Sequence, residues 1–286
     1  MKYPIGIQTF GQIINGGFVY VDKTDLLYRL VSTGKVYFLG RPRRFGKSLL
    51  ISTLEAYFLG KKELFKGLAI DALEQEWKQY PVFHLDFNTG NYLNDGALEE
   101  VLSGEIARWE KQYGVERTYE DLGKRFQQVL HAAHKQTGLG AVVLIDEYDK
   151  PILDVLDMDF QVEHLGKTMT LEEKHRYIMK SFYATLKGAD ADLRFVFLTG
   201  VTKFSQISMF SGFNQPEDIS LSRDYEAICG ITQKELENYF SAPIKEFAED
   251  YECSAEEMLV LLKRKYDGYH FSKRMTDIFN PFSILN

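Results

Sequence analysis

The chain alternates short apolar runs with longer stretches whose apolar residues recur every three or four positions. Val36, Tyr37, Phe38 and Leu39 form one such run, closed by Gly40. From Ser48 to Phe58, the residues Leu49, Leu50, Thr53, Leu54 and Tyr57 recur at helical spacing, which predicts a helix directly after it. Residues 82–87 mix apolar and polar positions and predict a second strand. Residues 141–145 are the most hydrophobic run in the chain and predict a strand buried on both faces. Residues 194–199 predict a further buried strand, ending in Gly200. Helices are predicted over 96–113, 119–136 and 171–187. Strands separated by helices imply right-handed crossovers and a mainly parallel sheet flanked by helices, an α/β fold. Beyond Thr232 the pattern is all-helical, with capping-box signatures at Thr232/Glu235 and Ser254/Glu257. The expected organisation is therefore a core over residues 1–230 and a helical subdomain over 231–286. The apolar stretch 281–285 stands immediately before the last residue, and the expectation is that a further domain follows.

Composition narrows the class. A chain of 286 residues with 45% hydrophobic and 26% charged residues suits an ordinary globular protein of one large domain or a core with a small appendage. A net charge of −7 argues against nucleic-acid binding by the whole surface, and the lysine and arginine clusters outside residues 40–48 are short. Cys229 and Cys253 form neither a disulfide framework nor a metal-ligand spacing, and the six histidines share no metal spacing. The chain has no run of apolar residues long enough for a membrane span and no signal-peptide pattern, so the cytoplasm is the expected location.

The chemistry is concentrated between the first predicted strand and its helix. Gly40, Arg41, Pro42, Arg43, Arg44, Phe45, Gly46, Lys47 and Ser48 occupy the position of a phosphate-binding loop. Free backbone N–H groups and the positive end of the helix dipole favour anions there. Gly46 lets the backbone approach phosphates, Lys47 reaches the β- and γ-phosphates, and Ser48 ligates Mg²⁺, with Leu49 continuing the contact surface. The standard pattern G-x-x-x-x-G-K-[ST] asks for glycine where Arg41 stands; Gly40 lies one residue earlier.

The predicted strand over 141–145 runs into Asp146 and Glu147. An acid at the carboxyl end of a buried strand holds Mg²⁺, directly or through water, and the neighbouring glutamate polarises the attacking water. Together with the loop, these acids point to a nucleotide as ligand, with Mg²⁺. Thr199 ends the last predicted strand and is a candidate γ-phosphate sensor, with Thr202 as a competitor and simple strand propensity as the alternative.

Six segments resemble the AAA-ATPase-like family of bacterial proteins. They are Tyr20–Val21–Asp22–Lys23–Thr24, Arg41–Ser48, Leu144–Ile145–Asp146–Glu147–Tyr148–Asp149, Leu198 through Phe204, Tyr266–Asp267–Gly268–Tyr269, and Asn280–Pro281–Phe282–Ser283. The resemblance implies a P-loop NTPase core, and it implies that the displaced glycine is a habit of the family. It also implies ATP over GTP, in keeping with a sequence that lacks an Asn-Lys-x-Asp guanine reader. Members often continue into a restriction-endonuclease-like nuclease domain, so an attached domain or a partner protein is the expected effector.

Other residues keep two readings. Tyr20 and Lys23 could touch the base, while Asp22 or Thr24 caps a helix. One of Arg41, Arg43 and Arg44, with Arg44 the candidate, could stabilise transition-state charge in cis while another pairs with an acid such as Asp149, or the three form a salt-bridge network that pins the loop. Arg223 is a candidate arginine acting across subunits, or else a surface ion pair, and an oligomer is left open. Three functions compete: an ATPase switch driving an effector, a non-hydrolysing nucleotide-binding scaffold, and a small-molecule phosphotransferase.

Overall fold

The computed structural model describes residues 2–202, 216–266 and 268–285. Lys203, Phe204 and Asp267, which belong to the segments quoted above, lie outside the described residues. All four strands expected from the apolar runs form: β1 (Val36–Gly40), β2 (Val82–Asp86), β3 (Ala141–Asp146) and β6 (Leu193–Gly200). They join the two-residue β7 (Glu217–Asp218) in one parallel sheet of order β2–β3–β6–β1–β7. β7 is exposed and acidic, so no apolar run announced it. A hairpin of β4 (Gln161–His164) and β5 (Lys167–Thr170) stands apart from this sheet.

Every residue of β3 is buried, because helices cover both faces of the sheet. Alternate strand residues point to opposite faces. Val143, Ile145, Val196 and Leu198 pack against α5 (Ala97–Tyr113), α6 (Leu122–Thr137) and α8 (Leu171–Gly188). Val142, Leu144, Phe195 and Phe197 share the opposite core with α1 (Phe10–Asn15), α2 (Thr24–Thr33) and α3 (Lys47–Phe58). Asp22 fastens the start of α2: its Oδ1 accepts from Thr24 N–H at 2.8 Å, and its Oδ2 accepts from Ala69 N–H, the first residue of α4 (Ala69–Leu73), at 2.8 Å.

The C-terminal part contains α9 (Gln233–Tyr239), α10 (Ser241–Asp250), α11 (Ala255–Tyr266) and α12 (Pro281–Leu285). Both capping boxes form, with Glu235 accepting from Thr232 N–H and Glu257 from Ser254 N–H, each at 2.8 Å. The all-helical expectation is corrected in one respect: β8 (Ile231–Thr232) pairs antiparallel with β9 (Ile278–Phe279), and these strands are too short to leave a period in the sequence. Packing also crosses residue 230 in both directions. Tyr3, Val19 and Val21 pack on the C-terminal helices, while Phe271 and Ile278 enter the core beside β1. Lys23 Nζ bonds Glu235 at 2.6 Å.

Candidate functional site

The sheet order decides which residues meet. β6 lies between β1 and β3, so the carboxyl ends of these three strands open onto one edge, the place where open α/β sheets bind ligands. Leu39 pairs with Thr199 and Gly40 with Gly200 in one register; Ile145 pairs with Leu198 in the other. The loop after β1, the acids after β3 and the threonine ending β6 thus converge.

The loop 41–46 turns into α3 through Gly46, whose φ of +90° is strained for any residue with a side chain. A Cβ there would meet nothing within 4 Å, so the space above the turn is open. α3 starts at Lys47 and leaves its first N–H groups without helical partners. The Lys47 ammonium is buried and donates to the carbonyls of Arg41 at 3.1 Å and Pro42 at 3.3 Å. It also lies 3.9 Å from Glu147 Oε1. A phosphate entering the turn would meet a cation already held by the loop, with Ser48 alongside and Asp146 at the end of β3. A hydroxyl and a carboxylate are oxygen donors of the kind Mg²⁺ takes, although Asp146 is buried and is not among the residues lining the cavity that holds Ser48.

Asp146 is buried, and its Oδ1 accepts the hydroxyl proton of Thr199. The same Thr199 oxygen accepts from Glu147 N–H at 3.2 Å. Thr199, expected as a phosphate sensor, thus fixes the two acids relative to each other. Glu147 itself has φ +49°, in the left-handed region where non-glycine residues are uncommon, and this turn carries its side chain off the line of the strand. Burial raises the Glu147 pKa, with Asp146 and Asp149 adding to the rise while Lys47 and Arg43 oppose it. Replacing Thr199 by Val keeps the shape and removes both hydrogen bonds; we expect nucleotide affinity to hold within a few-fold and turnover to fall about tenfold, the cost of roughly one bond's worth of positioning. Steady-state phosphate release against nucleotide binding checks this, and a variant with wild-type turnover would remove Thr199 from the site.

Behind the acids, Asp149 Oδ2 accepts from the N–H groups of Val201 at 3.0 Å and Thr202 at 2.7 Å, and from the Thr202 hydroxyl at 2.8 Å. The expected pairing of Asp149 with a loop arginine gives way to this clamp on the end of β6, and Thr202 is held by it. Gly200 is required here, since a Cβ would come within 2.4 Å of the Tyr148 ring.

The arginines separate. Arg43 and Arg44 are exposed and line a cavity of about 580 Å³ together with Gly46, Lys47, Ser48, Leu49 and Glu147. Arg41, expected beside the phosphates, points the other way. It is 1% exposed and donates to the carbonyls of Ser220 at 2.6 Å, Gly40 at 3.0 Å, Tyr225 at 3.2 Å and Glu226 at 3.3 Å. Its flat face lies 3.9 Å from the Phe271 ring centre. The Phe45 side chain is likewise buried, edge-on to Tyr269 and Phe271. Both residues brace the loop from below and leave only their backbone to a ligand. Arg223 is exposed and lines neither described cavity.

Sequence reasoning missed much of the cavity wall. Pro4 through Gln8, Asn88, Lys150, Pro281, Phe282 and Leu285 all contribute, from segments far apart in the chain. Nothing in their spacing signals a site; Pro281 and Phe282 belong to a quoted segment, but with no role attached. A smaller, mostly apolar pocket of about 110 Å³ adjoins this cavity, sharing Pro4, Gly46, Leu49, Pro281 and Leu285 with it. Tyr20 and Lys23 line that second pocket, as do Thr53 and Cys229.

Among the described residues, no helix is long and apolar enough to cross a membrane and no group of histidine, cysteine and acidic side chains could hold a metal on its own. No solved structure matches the chain. It is 35% identical over 288 residues to an uncharacterized protein in the vnfD 5' region of Azotobacter chroococcum mcd 1. That match takes in 99% of this chain and 51% of the relative, so the chain spans about half of the relative's length. Residues 4–210 match the AAA-ATPase-like family, described as a predicted AAA-ATPase, and take in the loop, both acids and Thr199. The chain belongs to the AAA-ATPase-like family.

Proposed function

We propose that the chain binds ATP with Mg²⁺ and hydrolyses it, serving as a nucleotide switch for an attached or partner effector. The observation that carries this reading is the convergence of Lys47 and Glu147, 3.9 Å apart, at the mouth of a left-handed turn with open space above it. In this reading the N–H groups of residues 46–49 and the Lys47 ammonium hold the β- and γ-phosphates. Ser48 and Asp146 would hold Mg²⁺, which would supply positive charge to neutralise that developing on the phosphates. Glu147 orients a water at the terminal phosphate and takes its proton. Arg43, near enough to bear on the charge of Glu147, supplies a cation to the same end of the cavity. The adjoining apolar pocket suits a planar base, with Tyr20, Leu49 and Thr53 around it.

The scaffold reading would leave Glu147 without a task, yet its backbone is held in a costly conformation by Thr199. The phosphotransferase reading asks for a second, substrate-facing base. Lys150, which also lines the cavity, is bound to Asp154 at 2.7 Å. Hydrolysis is the better-supported function.

Phosphate release from Mg·ATP, measured beside the binding of a fluorescent ATP analogue, tests the proposal. Lys47→Ala is expected to weaken binding about tenfold to a hundredfold, since a cation lost from a phosphate removes a charged hydrogen bond of roughly 1.5–3 kcal/mol. A wild-type protein that binds without releasing phosphate would favour the scaffold, and one that binds no nucleotide would sink the reading altogether.

A further inference from the structure

Arg44 differs from the other arginines of the loop. Its backbone is left-handed, with φ +69°, and the residue is exposed and lines the cavity. There the guanidinium carbon lies 3.9 Å from the centre of the Phe282 ring, in α12. The side chain is exposed and, among the described residues, its guanidinium has no hydrogen bond or ion pair. A guanidinium stacked on a ring keeps its N–H donors in the plane, free for a bidentate contact with phosphate oxygens. Arg44, Phe282 and the phosphate-loop residues Gly46, Lys47 and Ser48 all line the same cavity.

We propose that Phe282 is a positioning residue for nucleotide binding, holding the Arg44 guanidinium flat so that its edge faces the phosphate chain. The stack does two things. It removes rotamer freedom from a long side chain before the anion arrives, so less is lost on binding. It also links α12 to phosphate occupancy, because a phosphate held by the Arg44 edge fixes the plane on which Phe282 rests. α12 carries Pro281 and Leu285 as well, which line both the phosphate cavity and the adjoining apolar pocket, so the phosphate and base ends of the site share one wall. This inference rests on the nucleotide-binding reading above and assigns a role to residues that the reading leaves unused.

Titration calorimetry with Mg·ATP and, separately, with magnesium tripolyphosphate tests it. Phe282→Leu keeps an apolar wall and removes the ring face; Phe282→Tyr keeps the face. We expect Phe282→Leu to weaken both ligands by a similar factor, about threefold to tenfold for a partly exposed cation–π contact, and Phe282→Tyr to restore both. In an Arg44→Ala background, the change at Phe282 is expected to be silent, since the two residues act as one unit. Equal weakening by Phe282→Leu and Phe282→Tyr, a loss confined to ATP, or a loss that persists without Arg44 would each overturn the role and leave Phe282 a plain wall. If wild-type protein binds Mg·ATP but Phe282→Leu matches it for both ligands, only this inference fails. If the wild type binds neither ligand, the nucleotide-binding reading fails with it.

Discussion

Exchanging Glu147 for Gln is expected to leave Mg·ATP affinity at or above the wild-type value while turnover falls by a factor of about 10²–10⁴, the usual worth of a positioned general base. The asymmetry follows from the charges around the residue. Glu147 Oε1 is 3.9 Å from the Lys47 ammonium and shares its surroundings with Asp146 and Asp149. An amide of the same shape fills the same place, and the Lys47 ammonium keeps its hydrogen bonds to the Arg41 and Pro42 carbonyls, so the loop keeps its geometry. Removing a negative charge beside a polyphosphate relieves repulsion. What the amide cannot do is take a proton from water. The same electrostatics give the reaction a pH sense: burial raises the Glu147 pKa, so the carboxylate needed as base is lost on acidification at a higher pH than for an ordinary glutamate. Single-turnover phosphate release with fluorescent-nucleotide binding on the same sample separates the two effects. Wild-type turnover in Glu147→Gln would mean that another group activates the water.

How far the sequence alone reached follows from what each residue contributes. β3 and β6 were legible because a strand buried on both faces leaves a continuous apolar run, as in Ala141–Asp146 and Leu193–Gly200, and β2 because its apolar and polar residues alternate. The loop and its two acids were legible because phosphate chemistry restricts residue types at fixed spacing. β7, β8 and β9 were not, because two-residue strands have no period. The outer wall of the cavity was hidden for a different reason: Pro4–Gln8, Asn88 and Phe282 come together only through tertiary packing, and each is an ordinary residue in its own segment. Thr199 was found for its place at the end of β6, yet its hydroxyl faces the acids, a distinction that depends on register with β3 and not on the letter.

Arg41 shows the limit most plainly, because the sequence left a role with the phosphates and a pin for the loop both open, and the structure gives its side chain a partner set of backbone carbonyls. Standing where the standard loop has glycine, it sends its side chain beneath the loop into a site made of backbone carbonyls. A guanidinium has five donors in a rigid fork, and here it meets four carbonyl oxygens from Gly40, Ser220, Tyr225 and Glu226. Arg41→Ala is therefore expected to destabilise the fold by about 3–5 kcal/mol, through carbonyls left buried without donors and a cavity under Phe271. Arg41→Lys should recover only part of this, since three donors at one point cannot span the same carbonyls. The loss should appear as a lower denaturation midpoint at unchanged slope, in protein without nucleotide. The loop and the segment containing Phe271 share this one side chain, so loosening it should weaken nucleotide binding as a consequence of stability lost beneath the loop. If Arg41→Ala instead keeps its midpoint and loses only nucleotide affinity, the side chain reaches the phosphates after all, and the carbonyl site is a resting position that binding empties.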